Sequence, residues 1–428
     1  MWTLFSFLQK NNYFTCVSNI LKNIQIGIFI SAVNFLIQCA TFFVTNLMAK
    51  NLGALNFGYL GVLQNDYLIF CALADFGTAT LVLAFFGRRA THGQLLVQIF
   101  QLRFFLAITS MLLMCLFAFT IRWHHPAFRG ELILTLGLIF QHAFFDWYFI
   151  CGKFWKRFLI SKVFHTISYS AIMGFALLYL KLDKIESIAF VMIFAAIPAW
   201  GFGVFSAFNK RILIFRRRTV YFIKLMLNKA FPFALASLTS FAYLPIGIYA
   251  ADVLAPPEFL AAFNFSYKLI MLASGFMISF LSSSLIIQHE TLDSHIHLRD
   301  ILSFTFFITI LSSPLLIIPQ FVLKILFFAA PWTASLLETS SFCLRLLSIS
   351  LILQAIRLPM ISTMLKEKQI WKYVGVILIG GIANIAMTFG MVTLTSQFHL
   401  IPLFTLSGDV VITVIFFVFF FNKKRLAW

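Results

Sequence analysis

Apolar residues occur along this chain in blocks about twenty residues long, separated by short polar connections. A soluble amphipathic helix would carry a polar stripe through every turn. Uninterrupted blocks of this length instead match helices crossing about 30 Å of hydrocarbon at about 1.5 Å per residue. The pattern predicts twelve spans: Ile24 to Asn46, Tyr59 to Gly87, Leu102 to Ile121, Leu132 to Gly152, Phe158 to Leu180, Ser187 to Phe208, Ala230 to Ala251, Phe259 to Gln288, Ile301 to Leu323, Ser341 to Met364, Tyr373 to Thr395 and His399 to Phe421. The expected fold class is therefore an all-α integral membrane protein.

The longest polar connection, Asn209 to Asn228, carries Lys210-Arg211 and Arg216-Arg217-Arg218 and divides the spans into two groups of six. The expected organisation is an N-terminal segment 1–23, a six-helix bundle 24–208, a basic linker 209–229, a second six-helix bundle 230–421 and a basic tail 422–428. Asn51 to Phe57, before the second span, aligns with Val253 to Phe259, before the eighth, at a constant offset of 202 that matches Leu52 to Leu254 and Phe57 to Phe259. That spacing suggests a duplicated half, and a repeat interface at mid-membrane is where transporters bind substrate.

Composition agrees with lipid as the solvent: 61% of residues are hydrophobic, 11% are charged and 56 of the 428 are Phe. The formal charge of +18 would point to nucleic acid in a soluble protein. Here it follows topology, because twenty-two Lys and Arg fall in one set of connections and tails against six in the other. By the rule that basic residues stay cytoplasmic, both termini are expected in the cytoplasm, with the remaining charge facing anionic membrane lipid. No nucleic-acid partner is expected. The six cysteines have no Cys-x-x-Cys spacing, and five fall inside spans, so they read as small packing residues. Trp2 to Leu8 could lie along a membrane surface. His289, His295 and His297, with Glu290 and Asp293, could bind a metal but read better as a solvated link, so no metal site is expected.

A charge at mid-bilayer costs at least about 2.5 kcal/mol, so each one that remains is a candidate for function. Four basic residues lie in or near spans, Arg103, Lys268, Arg345 and Arg357, against the acids Asp66, Asp75 and Asp146. Asp66 and Lys268 are equivalent under the 202 offset, each about nine residues, or roughly 13 Å, into its helix. They could face each other across the halves as a gate or proton-sensitive latch, or each could line water independently. Asp75, nine residues beyond Asp66, points to the opposite face of an ideal helix, and Gly77 is a site for local unwinding. Lys268, Arg345 and Arg357 are the candidate substrate-binding residues, since a guanidinium can hold a phosphate bidentately; Arg357 is also near enough to the cytoplasmic face to snorkel. Asp66, Asp75 and Asp146 are the candidate gating or coupling groups. No catalytic residue or cofactor is indicated, and any coupling ion would be H+ or Na+.

Four segments carry a family likeness: Asn51-Leu52-Gly53-Ala54-Leu55-Asn56-Phe57-Gly58, Ala74-Asp75-Phe76-Gly77, Asp146-Trp147-Tyr148-Phe149-Ile150-Cys151-Gly152-Lys153, and Phe231-Pro232 with Phe263 to Leu269. In that order they resemble the Leu-Gly-Pro-x-x-Phe-Gly turn, the Asp-hydrophobic-Gly element, the Trp-x-x-x-Gly end of helix four and the second-half entry of the polysaccharide transporters of the multidrug/oligosaccharidyl-lipid/polysaccharide superfamily, in particular the Wzx-type flippases. The likeness covers helices one to eight; the last third matches only in hydropathy and length. It implies a MATE-like pair of six-helix bundles around a central cavity. It also implies alternating access in a bacterial inner membrane, a lipid-linked oligosaccharide such as an O-antigen unit as substrate, a polysaccharide polymerase as a further partner, and a cavity position for Lys268. The chain departs from the pattern at Pro245-Ile246-Gly247, where an acidic residue is common, and at Cys151, where Gln is common. The first departure puts proton or sodium coupling in doubt. A cation-coupled multidrug exporter of the same fold is the rival reading. A membrane-embedded O-antigen polymerase or ligase is the rival of another class, with Arg122-Trp123-His124-His125-Pro126 as the one outer connection that offers catalytic groups.

Overall fold

The structure is a computed structural model and describes residues 13–85, 93–140, 145–152, 154–208, 219–243, 245–288, 298–366 and 369–422. The segment Trp2 to Leu8, the histidines 289, 295 and 297, the basic clusters at 210–211 and 216–218 and the tail from 423 lie outside the described residues. All regular structure among the described residues is helical. Among the described residues seven helices are long and apolar enough to cross a membrane, or eight if one bent pair counts as a single span.

The N-terminal half contains α1 (Tyr13–Asp75), α2 (Thr78–Phe85), α3 (Gly93–Ile121), α4 (Phe128–Gly137), α5 (Asp146–Cys151), α6 (Trp155–Leu178) and α7 (Ile185–Phe208). The C-terminal half contains α8 (Thr219–Tyr243), α9 (Ile246–Leu254), α10 (Pro257–Gln288), α11 (Leu298–Ile317), α12 (Pro319–Leu326), α13 (Ala334–Lys366), α14 (Ile370–Ile385), α15 (Met391–Thr395) and α16 (Ile401–Asn422). Several expected spans are built from two pieces. α1 covers the first span and the start of the second, which continues in α2, and the polar turn between them shrinks to one residue, Gly53, at φ 71° and ψ 171°. That backbone region is essentially glycine-only. Phe76 and Gly77, both at positive φ, separate α1 from α2. Pro245 caps α9 where the seventh span was expected to run on, and Pro319 opens α12 after an 89° bend from α11. Proline lacks the amide that a continuing helix needs, so the apolar run persists while the helix breaks.

The connections expected on one side of the membrane meet at one end of the bundle. Asn51 donates to the carbonyl of Leu177, Asn46 to that of Leu326, Gly130 abuts Ile185, and Phe259 packs edge-on against Phe398. The Gly53 turn and the α9–α10 turn at Ala255, which the offset of 202 pairs, both lie there.

The halves join mainly where the second part of α1 packs on α10. Gly58 faces the backbone of Ala261, and Gly61 faces the side chain of Asn264; small residues let helix axes approach this closely. Asn264 donates to the carbonyl of Phe57 at 2.7 Å. Beside it, Phe57, Phe265, Phe327 and Trp332 pack ring to ring, with centroids 4.7 Å apart for Phe57 and Phe265 and 4.9 Å for Phe265 with Phe327 and with Trp332. Among the described residues some phenylalanines thus pack at this seam, others such as Phe100, Phe145 and Phe149 fill a second core cluster, and others such as Phe104, Phe190 and Phe306 are on the outer surface.

Candidate functional site

The densest charged cluster lies at the turn end, between the halves. Arg122, just past α3, places Nη1 2.6 Å from Asp252 Oδ2 on α9, Nη2 3.2 Å from Asp66 Oδ2 on α1 and Nε 3.6 Å from Glu131 Oε1 on α4. Its guanidinium also lies 5.9 Å from the ring centres of Phe117 and Tyr249. Tyr249 donates its hydroxyl to Asp66 Oδ1 at 2.8 Å. His125 Nδ1 accepts the Ala127 amide at 3.1 Å, which leaves Nε2 to donate to Asp252 Oδ1 at 2.9 Å. Arg122, Asp66 and Glu131 are all buried. The connection Arg122 to Ala127 is short and turns tightly, with His125 N bonded to the Arg122 carbonyl and Phe128 N to that of His125. That turn aims the arginine and histidine inward together.

The anticipated Asp66–Lys268 pair does not form. Lys268 Nζ donates instead to Gln64 Oε1 at 2.5 Å. Gln64 and Asp66 are two residues apart, about 200° around the helix, so a lysine aimed at one cannot also face the other. The Lys268–Gln64 contact crosses the seam, as do those of Tyr249 with Asp66 and of Tyr267 with Asn65 at 3.5 Å.

The other expected residues scatter. Asp75 pairs with Arg103 at 2.7 Å, beside the break at Phe76 and Gly77. Asp146 on α5 pairs with Lys162 on α6 at 2.6 Å. Arg345 is exposed, on the same face of α13 as the exposed Phe342 and Ile349. Arg357 does not snorkel: it is buried, with Nη2 2.5 Å from Asp409 Oδ1 on α16. Asp409 also accepts from Ser350 at 2.5 Å, and a small cavity in the C-terminal half is lined by Phe263, Ile270, Leu347 and Leu406 together with Gln354 and Asp409. Asp409 is absent from the three intramembrane acids counted in the sequence, although a lone carboxylate inside an apolar run was the signal for it. Glu131 and Asp252 read as span-end charges; their convergence on Arg122 brings together two connections, the one from Arg122 to Ala127 and the α9–α10 turn, and has no local signature. Among the described residues no group of His, Cys, Asp and Glu is placed to hold a metal ion, and the cysteines described are free.

No known family profile matches the sequence, and no curated protein does. Solved structures do match in fold. An inward-facing MATE-family multidrug resistance transporter of the MOP superfamily superposes with a TM-score of 0.72 at 12% identity, covering 92% of this chain and 98% of its own. An outward-facing structure of such a transporter gives 0.66 at 13% identity, covering 94% and 95%. A MATE protein in complex with MaD3S gives 0.64 at 12%, covering 94% and 96%. The chain therefore has the MATE transporter fold over nearly its whole length; at this identity the likeness concerns the fold.

Proposed function

We propose that this protein is a flippase that moves lipid-linked oligosaccharide, such as an undecaprenyl-pyrophosphate-linked O-antigen unit, across a bacterial inner membrane by alternating access. In this reading twelve spans form two six-helix bundles, both termini are cytoplasmic, and the turn end faces outward. The observation that carries it is the environment of Lys268. Arg103, Arg122 and Arg357 each have a carboxylate partner. Lys268 lies on the seam between the halves with a neutral Gln64 as its hydrogen-bond acceptor, and no carboxylate among the described residues is within ion-pair distance. A half-buried ammonium on a surface that opens and closes suits a diphosphate, which supplies the missing countercharge. The sequence likeness to Wzx-type flippases supports the same substrate class.

Alternating access needs a closure at each end that can form and break. Arg122 with Asp252, and Tyr249 with Asp66, tie the two halves at the turn end and act as the outer closure. The inward orientation of Arg122 and His125 also weakens the polymerase or ligase reading, because the one outer connection with candidate groups has turned them toward Asp252.

A multidrug exporter remains the second reading, favoured by the fold likeness to MATE transporters. An organic cation, however, would meet the Lys268 ammonium. Complementation of a strain lacking its O-antigen flippase separates the two. Restored surface polysaccharide that falls at least tenfold in Lys268→Ala, at equal protein level, supports flipping. Restored drug resistance in a drug-sensitive strain, unaffected by Lys268→Ala, overturns it in favour of export.

A further inference from the structure

The cluster at the turn end is short of positive charge and short of hydrogen-bond donors. Three carboxyl groups, Asp66, Glu131 and Asp252, surround one guanidinium, and His125, accepting at Nδ1 and donating at Nε2, adds no net charge. Tyr249 adds one donor, to Asp66 Oδ1. Both oxygens of Glu131 and Oδ2 of Asp66 are buried and receive no hydrogen bond among the described residues. Gly130, the residue before Glu131, packs against Ile185 and Ala189 of α7 and Leu63 of α1. A buried carboxylate pair in this state lacks one proton, which would neutralise a charge and give the orphaned oxygens a shared hydrogen bond.

We propose that the closed turn end is a proton-binding site in which Glu131 and Asp66 share one proton, and that opening this end, by admitting water to Glu131, releases it. The proposal rests on the reading of this end as a gate and not on the choice of substrate. Glu131 and Asp66 lie against the same guanidinium, 3.6 and 3.2 Å from Arg122, with Glu131 fully buried. The closed state holds a proton that the open, hydrated state gives up, so the advantage of the closed state is greatest at low pH and is lost as pH rises.

The test places spin labels, through a ketone-bearing amino acid, at Asp183 and Gln397, exposed positions on outer connections of the two halves. Distance distributions are then recorded between pH 5 and pH 10 in the full chain without substrate. The short distance is expected to dominate at pH 5 and to give way to a longer one as pH rises. In Glu131→Gln, which keeps the shape and cannot ionise, the short distance should persist across the range. A wild-type profile that is flat, or an unaltered transition in Glu131→Gln, overturns the proposal. If Glu131→Gln fails to fold, infrared difference spectra of the wild type and Asp66→Asn replace it. A protonated-carboxyl band that bleaches on raising pH in the wild type and is displaced in Asp66→Asn supports the shared proton, and its absence overturns it. Loss of flipping with an intact pH transition would count against the substrate assignment and leave the proton site standing.

Discussion

Arg122 with Asp252 and Arg357 with Asp409 are the same chemical pair, a buried guanidinium on a carboxylate at 2.6 and 2.5 Å, but they join different things. Arg357 and Asp409 sit on α13 and α16, both in the C-terminal half, so they move together whatever the bundles do. Arg122 and Asp252 belong to opposite halves, and in the proposed alternating-access cycle they separate each time the turn end opens. Desolvation makes a buried pair a weak source of net stability, while losing one partner is costly because the other charge is stranded. An internal pair is therefore part of the fold. A pair across a seam is part of a conformational equilibrium, where opening hydrates both charges and softens their loss.

The sharpest way to break the comparison is Arg357→Met. It strands Asp409 in the C-terminal half and should destabilise the protein by about 3–5 kcal/mol, seen as a large fall in thermal midpoint in detergent. Arg357→Met with Asp409→Leu should recover most of it. Arg122→Gln strands Asp66 and Asp252 at a place that can open, so the loss should appear chiefly as a shift of labelled outer distances toward the open state. A bias of about 1.4–2.8 kcal/mol corresponds to a ten- to hundredfold change in ratio, with the thermal midpoint falling less than for Arg357→Met. An equal fall in the two variants would erase the distinction.

Gly53→Ala tests the backbone side of the same seam. With no atom near the added Cβ, the cost is the glycine-only conformation alone, about 1–3 kcal/mol in thermal stability. The smallest expected effect is Arg345→Ala, which removes an exposed charge from an apolar outer face and should change stability by less than about 0.5 kcal/mol. Surface polysaccharide in the complementation assay should be unaffected, in contrast to Lys268→Ala.

The helical class could be read from block length, because the length of an apolar run is set by the solvent around the segment. Interruptions were legible where one residue type forces them, as at Gly77. They were not where an apolar run continues through a break, as at Pro245 and between Ile317 and Pro319. The site was legible to the extent that single charges stand out against lipid: Asp66 and Lys268 both lie on the seam. Their partners were not. Gln64 is a neutral residue among many, and Arg122, Glu131 and Asp252 each look like ordinary charges beside a connection until two connections are brought together. Helical rotation decides partnership, and an offset between repeats does not carry that information.

The aromatic stack at Phe57, Phe265, Phe327 and Trp332 has an electrical consequence. A bundle that opens at either end by turns must still not leak, and a closely packed ring layer excludes the water file that protons need, as hydrophobic constrictions do when they dewet. A dry layer of low dielectric between wetter spaces is also where the transmembrane voltage drops most steeply, at about 2.3 kcal/mol per elementary charge per 100 mV. In the proposed transport cycle the phenylalanines of this seam would serve as insulation, and thinning them, for instance with Phe265→Ala, should appear first as a proton leak in sealed vesicles.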